Sequence, residues 1–255
     1  MPLQDEYVLN LASKGTRIDS RKPDEFRKIT IEKNPIPKAE GSARVKIGDT
    51  EILAGVKIDV GQPFPDKLDE GVLMVGAEFS PLASPLFELG PPRENAIELA
   101  RVIDRGIRES QTIDTKKLCI KEGEKVWMVH VDIHILNHAG NLIDAAALAS
   151  ITALTNARMP QYTKDKVDYE KKTDKSLPLR FKPVAVTFAK INGNIFMDPV
   201  LEEENVMAAR LTVTTKEDGN ICAIQKGGST PLTLDEINKS IEQSIKKGKE
   251  LRKLI

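Results

Sequence analysis

The stretch Val129–His138, VHVDIHILNH, holds every histidine of the chain, at His130, His134 and His138. Steps of four residues on a helix would aim these rings at one metal ion, whereas on a strand they would spread along one face. Val129, Val131, Ile133 and Ile135 alternate with His130, Asp132, His134 and Leu136, and a period of two with β-branched residues on one side predicts a strand. At ~3.3 Å per residue the neighbouring histidines would stand about 13 Å apart, while zinc takes its ligands at about 2 Å from one centre. Residues 125–137 are therefore expected to form a nearly buried core strand, with no metal site and no cofactor.

Working outward, the chain has 255 residues, 40% of them hydrophobic, enough for one large domain or two packed halves. Lys and Arg total 38, as do Asp and Glu, so no global field advertises nucleic acid, although a local basic groove stays open. Cys119 and Cys222 lie in apolar stretches without CxxC spacing, which suits small core residues in a reducing compartment. The opening MPLQDEYVLN lacks a basic segment followed by an apolar one, and no apolar run reaches membrane length. The expectation is a cytoplasmic protein with no membrane partner.

Before the central strand, a short amphipathic helix is expected over the first dozen residues. A strand follows after RIDSRKPDEFR, then a hairpin in SARVKIGDTEILAGVKIDV turning at Gly48, Asp49 and Thr50. The strand VLMVGAEFSPLA is halted by Pro81 and Pro85, and PPRENAIELARVIDRGIRES predicts a helix starting after Pro92. After the central strand, HAGNL makes a turn into an alanine-rich helix whose small residues on nearly every side require burial. QYTKDKVDYEKKTDKSLP, residues 161–178, is charged and is expected as an exposed connector between an N-terminal half, 1–160, and a C-terminal half, 179–255. The second half supplies about four strands, with Asn192-Gly193 and Asp218-Gly219 as hairpin signals, and a final helix. In that helix Thr233 and Glu236 suit a capping box, and Ile237, Ile241 and Ile245 mark the expected buried stripe. The class is α+β: duplicated β-rich units with buried helices between sheets.

RIDSRKPDEFR, GSARVKIGDTEILAGVK, GPPRENAIELARVIDR and DPVLEEENVMAARLTV, in that order and across almost the whole chain, resemble the phosphorolytic exoribonucleases of the RNase PH family. The resemblance looks closest to the non-catalytic RNase PH-like subunit of the archaeal exosome. It implies the RNase PH-like fold, of the ribosomal protein S5 domain 2-like class. It also implies partners: a catalytic RNase PH-like subunit in a trimer of heterodimers, RNA-binding cap subunits, and single-stranded RNA threaded through the ring.

Phosphorolysis needs an anion held beside the phosphodiester, by backbone N–H groups at a helix N-terminus and by Arg or hydroxyl side chains. It also needs a carboxylate to organise a metal or handle protons. Where active relatives resemble Gly-Gly-Thr/Ser-Arg, this chain has His138, Ala139, Gly140, Asn141 and Leu142, without hydroxyl or arginine. A helix N-terminus alone remains there, and Asp144 would further repel phosphate. Where relatives place two aspartates six residues apart, this chain has Asp198 and then Glu204. The extra methylene matters, because misplacement by about 1 Å costs on the order of a hundredfold in rate. Gly140, Asn141, Leu142, Asp198 and Glu204 are thus expected to be a degenerate former active site. On its residues alone, DPVLEEE also reads as a solvated acidic loop.

Arg101, Arg105 and Arg108 share one helical face by their spacing, while Ile103 and Ile107 turn to the core. By residue pattern this is a solvated surface partly paired with Glu94 and Glu98. The resemblance instead implies that the helix lines the RNA path, with Arg101 and Arg105 as phosphate contacts and Arg93 as a third. Relatives carry basic residues where this chain has Glu94 and Asn95, so its share is smaller. Three functions stay open. The chain is a non-catalytic ring subunit that grips RNA, an active phosphate-dependent 3′–5′ exoribonuclease using Asp198 and Glu204, or a scaffold whose arginines are merely solvated.

Overall fold

The computed structural model of the chain describes residues 3–163 and 166–255, without the side chain of Glu170. Helix α1 (Leu3–Ser13) precedes β1 (Ile29–Lys33), β2 (Gly41–Ile47), β3 (Thr50–Gly61) and β4 (Val72–Phe79). Then come α2 (Glu94–Glu109), β5 (Cys119–Lys121), β6 (Lys125–Asn137) and α3 (Leu142–Asn156). The hairpin β7 (Arg158–Thr163) and β8 (Lys166–Ser176) leads to β9 (Val184–Ile191), β10 (Asn194–Met197), α4 (Leu201–Val206), β11 (Ala209–Thr215), β12 (Ile221–Gly227) and α5 (Leu234–Leu251).

Residues 129–137 are strand, and His138 lies just beyond it. In β6, Val129, Val131, Ile133 and Ile135 are buried, and His130 and His134 point to the opposite face. This strand runs antiparallel to β3 and parallel to β4 in a sheet ordered β1-β2-β3-β6-β4, with β5 also pairing β6. The second sheet is ordered β10-β9-β11-β12 and is antiparallel throughout. Its central strand β9 is buried along nearly its whole length, as a strand covered on both faces must be. Asn192 and Gly193 both take positive φ, 49° and 85°, so the predicted β9–β10 turn has the twist a tight hairpin needs.

The alanine-rich helix α3 lies between the two sheets, against β2 and β3 on one side and β9 on the other. Its residues from Ile143 to Leu154 are buried all but one, and their small size sets the spacing between layers. At Gly41 of β2 a Cβ would run into the Ala153 carbonyl and the Ala157 backbone, so only glycine lets the strand approach this helix so closely. Helix α2 packs on β4, α3 and β12 through Ala96, Leu99, Ile103, Gly106 and Ile107. The architecture is α+β with helices enclosed between sheets.

One expectation gains detail and one is corrected. Residues 161–178 are mostly strand, because the β7–β8 ladder satisfies its backbone without needing an apolar face, and apolar periodicity gave no sign of it. The hairpin is tied down by Tyr169 Oη donating to Asp59 at 2.8 Å and by Trp127 meeting the Tyr162 ring edge-on. In α5 the capping box of Thr233 and Glu236 is present, but the buried positions are Ser240, Ser244 and Gly248, with Leu251 at the end of the helix. Ile237, Ile241 and Ile245 are only half-buried beside them. At Gly248 a Cβ would stand 2.8 Å from Thr215 Oγ1, so small residues occupy the contact line and the isoleucines flank it. Among the described residues no helix is long and apolar enough to cross a membrane.

Candidate functional site

The turn from β6 into α3 and the loop from β10 into α4 meet at Gly140 and Pro199–Leu201. A Cβ on Gly140, whose φ is +91°, would fall 2.5 Å from the Val200 carbonyl carbon. Only glycine allows this contact. Asn141 and Asp198 also sit in the left-handed region, at φ 55° and 50°, a conformation Asn and Asp tolerate better than other side chains. The degenerate positions expected from the sequence are therefore brought together, 57 residues apart in the chain, by Asn141 Nδ2 donating to Asp198 Oδ1 at 2.7 Å.

Asp198 is fully buried and saturated with donors. Arg27 grips both of its oxygens, through Nε to Oδ2 at 2.9 Å and Nη2 to Oδ1 at 2.7 Å. Arg21 Nη1 and the Arg27 backbone N–H add two bonds to Oδ2, each 2.9 Å. Burial pushes this carboxyl upward, but Arg27 more than offsets it and holds it below the ordinary aspartate range. A second clasp lies alongside, where buried Arg17 donates to Glu203 at 2.9 and 2.5 Å and to the carbonyls of Met197 and Asp198, both at 2.8 Å. DPVLEEE is thus no solvated acidic loop. Two of its carboxylates, Asp198 and Glu203, are neutralised by arginines from the opening loop, and a carboxylate enters the interior most readily with such partners.

The helix N-terminus at HAGNL is not vacant either. The Asn141 N–H, one of the donors with which such a terminus would hold an anion, is given to Glu204 Oε1 at 2.8 Å. Burial pushes the Glu204 carboxyl up to about 7, against the pull of the Asn141 N–H, Arg210 and Arg27. A depression of ≈ 190 Å³ borders it, lined by Phe79, Phe87, His138, Leu142 and Arg210 among others. Burial and then Arg27 lower the His138 imidazole from its ordinary value, and its ring stacks on Phe87. Arg17, Arg21, Arg27 and Arg210, the guanidinium groups around the turn, are each paired with a carboxylate. The site offers incoming phosphate carboxylates and engaged arginines.

Asp144 does not repel phosphate from the turn as expected. It points inward, accepting from Asn141 Nδ2 and Thr187 N, both at 2.9 Å, and its other oxygen lies 2.7 Å from Thr187 Oγ1. Burial drives its carboxyl up to about 7. The unfolded chain releases that proton near pH ~3.9, so between about pH 4 and 7 the fold holds a proton that the unfolded state lacks. This carboxyl's contribution is full below about pH 4 and is lost as pH rises through 7. Asp144→Asn keeps the acceptor, offers an N–H to Thr187 Oγ1 and has no proton to lose. Its stability advantage over the parent is expected to be small near pH 4.5 and to reach on the order of 2–4 kcal/mol at pH 8. Urea titrations of both proteins check this, and curves that run parallel with pH would refute it.

The arginines of α2 lie apart from this turn. Ile103 and Ile107 face the core as expected. Of the three arginines on the outer face, Arg108 pairs with Asp104 at 2.7 Å and donates to the Leu73 carbonyl. Arg93, just ahead of the helix, pairs with Glu88. Glu98 is taken by Arg210 at 2.6 Å. The expected pairing with Glu94 and Glu98 is therefore absent, and among the described residues Arg101 and Arg105 hold neither a hydrogen bond nor an ion pair. Both are exposed and border an open groove of ≈ 610 Å³ beside β12.

Residue pattern did not assign Arg17, Arg21 and Arg27 a role. The available signal was a non-periodic run of arginines in one loop and a run of carboxylates in another.

Residues 25–160 match the 3′ exoribonuclease family, domain 1, and residues 183–247 match its domain 2. The chain is similar to the exosome complex component Rrp42 of Methanocella arvoryzae, 50% identical over 250 residues, covering 98% of this chain and 94% of the relative. The component of the same name from Thermococcus gammatolerans is 49% identical over 258 residues, covering 98% and 93%. A chain of the Archaeoglobus fulgidus exosome with RNA bound to the active site superposes with a TM-score of 0.92 at 48% identity, covering 98% of this chain and 97% of that one. Rice Rrp46, at 18% identity and a TM-score of 0.70 over 93% and 97% of the two chains, shares the fold.

Proposed function

The chain belongs to the RNase PH, or 3′ exoribonuclease, family, and we propose that it is the non-catalytic subunit of an archaeal exosome ring. It takes its place in a 3′–5′ exoribonuclease complex, a reading supported by relatives near half identity over 98% of this chain that are named exosome complex components. It pairs with a catalytic RNase PH-like subunit in a trimer of heterodimers capped by RNA-binding subunits. It supports the partner's site and grips single-stranded RNA by its backbone through Arg101 and Arg105. Arg93, engaged with Glu88, contributes less.

The observation that carries the non-catalytic assignment is the Glu204 carboxylate bonded to the Asn141 N–H at the turn where an active relative would hold phosphate. The Asp198 carboxylate supports it, since its oxygens are consumed by Arg21, Arg27 and Asn141 and would have to shed them to organise a metal. Phosphate entering here would find the Asn141 N–H already given to Glu204 and, among the described residues around the turn, the guanidinium groups engaged with carboxylates.

Phosphate-dependent trimming of a short poly(A) RNA tests this, with the chain alone, its catalytic partner alone, and the two mixed. The chain alone is expected to release no nucleoside diphosphates, and the mixture is expected to exceed the partner alone. Release by the chain alone would overturn the assignment and make Asp198 and Glu204 the residues to mutate.

A further inference from the structure

The groove beside α2 holds a group that the proposed function leaves unused. Gln225 of β12 lines it together with Arg101 and Arg105. Gln225 stands opposite Thr212 in the β11–β12 ladder, on the face whose Thr214 packs under Gly106 of α2. Its amide nitrogen and oxygen are both shielded from solvent, and neither has a hydrogen-bond partner among the described residues. Its cross-strand neighbour Thr212 is satisfied, bonded to Thr187 at 2.9 Å. A shielded amide with donor and acceptor both unused is a costly arrangement, and it suits a ligand group that both accepts and donates.

The remaining walls fit the same ligand. Arg101 and Arg105 offer two unpaired cations, while Glu98 and Arg108 are already neutralised by Arg210 and Asp104. Glu94 and Glu109 stand at the two ends of the helix, which leaves its middle to the guanidinium groups. Ile97 adds apolar surface at 48% exposure. Two cations spaced one helical turn apart, an apolar patch and a bifunctional amide match the phosphates, the base face and the ribose hydroxyl of a nucleotide.

We propose that Gln225 completes, with Arg101 and Arg105, a subsite for one nucleotide of single-stranded RNA, in which its amide hydrogen-bonds the ribose 2′-hydroxyl. That hydroxyl both donates and accepts, and it is the same in every ribonucleotide, whereas contact with a base edge would impose a sequence preference. DNA lacks it. The inference rests on the assignment of the arginine pair as RNA contacts and adds to it a preference for RNA over DNA.

The test uses the ring reconstituted with its catalytic partner in phosphate-free buffer, so that RNA is bound and not cleaved, with assembly of each variant checked by size exclusion. Gln225→Leu is expected to weaken binding of an RNA oligonucleotide about 3- to 10-fold, the factor one neutral hydrogen bond supplies, and to leave the DNA of the same sequence unchanged. In a scan of single 2′-deoxy substitutions along the RNA, one position should weaken binding to the parent by a similar factor and have no effect on Gln225→Leu. Equal losses for RNA and DNA, or a parent scan with no sensitive position, would overturn the subsite. If Arg101→Ala and Arg105→Ala weaken RNA binding while Gln225→Leu does not, the subsite falls and the arginine contacts stand. If the arginine variants bind RNA like the parent, both fall.

Discussion

Arg27→Met is expected to destabilise the folded chain by about 3–5 kcal/mol, the range for breaking a buried ion pair from one side. Arg27 holds both oxygens of Asp198 and also donates to the Ala139 carbonyl at 2.7 Å, so its loss uncovers a buried carboxylate and releases the turn before α3. Methionine fills part of the volume, which confines the effect to charge and hydrogen bonding. The pH dependence gives a second signature. Asp198 is held below its unfolded value, so the stability it contributes is present above about pH 4 and is lost as pH falls through its folded value. The deficit of Arg27→Met should therefore be full at pH 7 and shrink in acid. Urea unfolding at pH 7 and in acid measures both, and a midpoint close to the parent's at pH 7 would show that Arg21 and Asn141 suffice to hold Asp198.

Arg101→Glu combined with Arg105→Glu should lower the affinity of the assembled ring for single-stranded RNA by about 100-fold at moderate salt, because two cations facing phosphate become anions. The corresponding alanine variants isolate the contact from the repulsion. Each arginine removed should flatten the dependence of log affinity on log salt by about 0.7, and the loss should be equal for poly(A) and poly(U). Both side chains are exposed and, among the described residues, without partners, so the fold should tolerate either change. Unaltered RNA binding by the double charge reversal would leave the chain a scaffold whose arginines are solvated. A loss confined to one sequence would point to base readout.

The fold was legible where periodicity is strong. The alternation in VHVDIHILNH, the small residues of α3, the Asn-Gly turn before β10 and the capping box of α5 all have local causes, and each element formed as expected. The β7–β8 hairpin was not legible, since its ladder is held by backbone bonds and a few ring contacts that leave no apolar pattern. In α5 the line of closest approach is made of serine and glycine, and a search for large apolar residues finds its flanks instead.

The sequence by itself determined what the turn before α3 lacks, since a missing hydroxyl and a missing arginine in HAGNL need no coordinates to be noticed. It also determined that Arg101 and Arg105 share a helical face, because a period of 3.6 is a property of the chain alone. Only the tertiary structure decided that those two are free while Arg93 and Arg108 are paired. It decided too that Asp198 is enclosed by Arg21 and Arg27 from 177 and 171 residues away, and that Glu204 stands at the helix end where an anion would bind. The difference is physical. A side chain's direction along a helix or strand follows from its neighbours in sequence. Whether a charge is solvated, paired or buried depends on which distant segment packs against it, and local pattern carries no record of that.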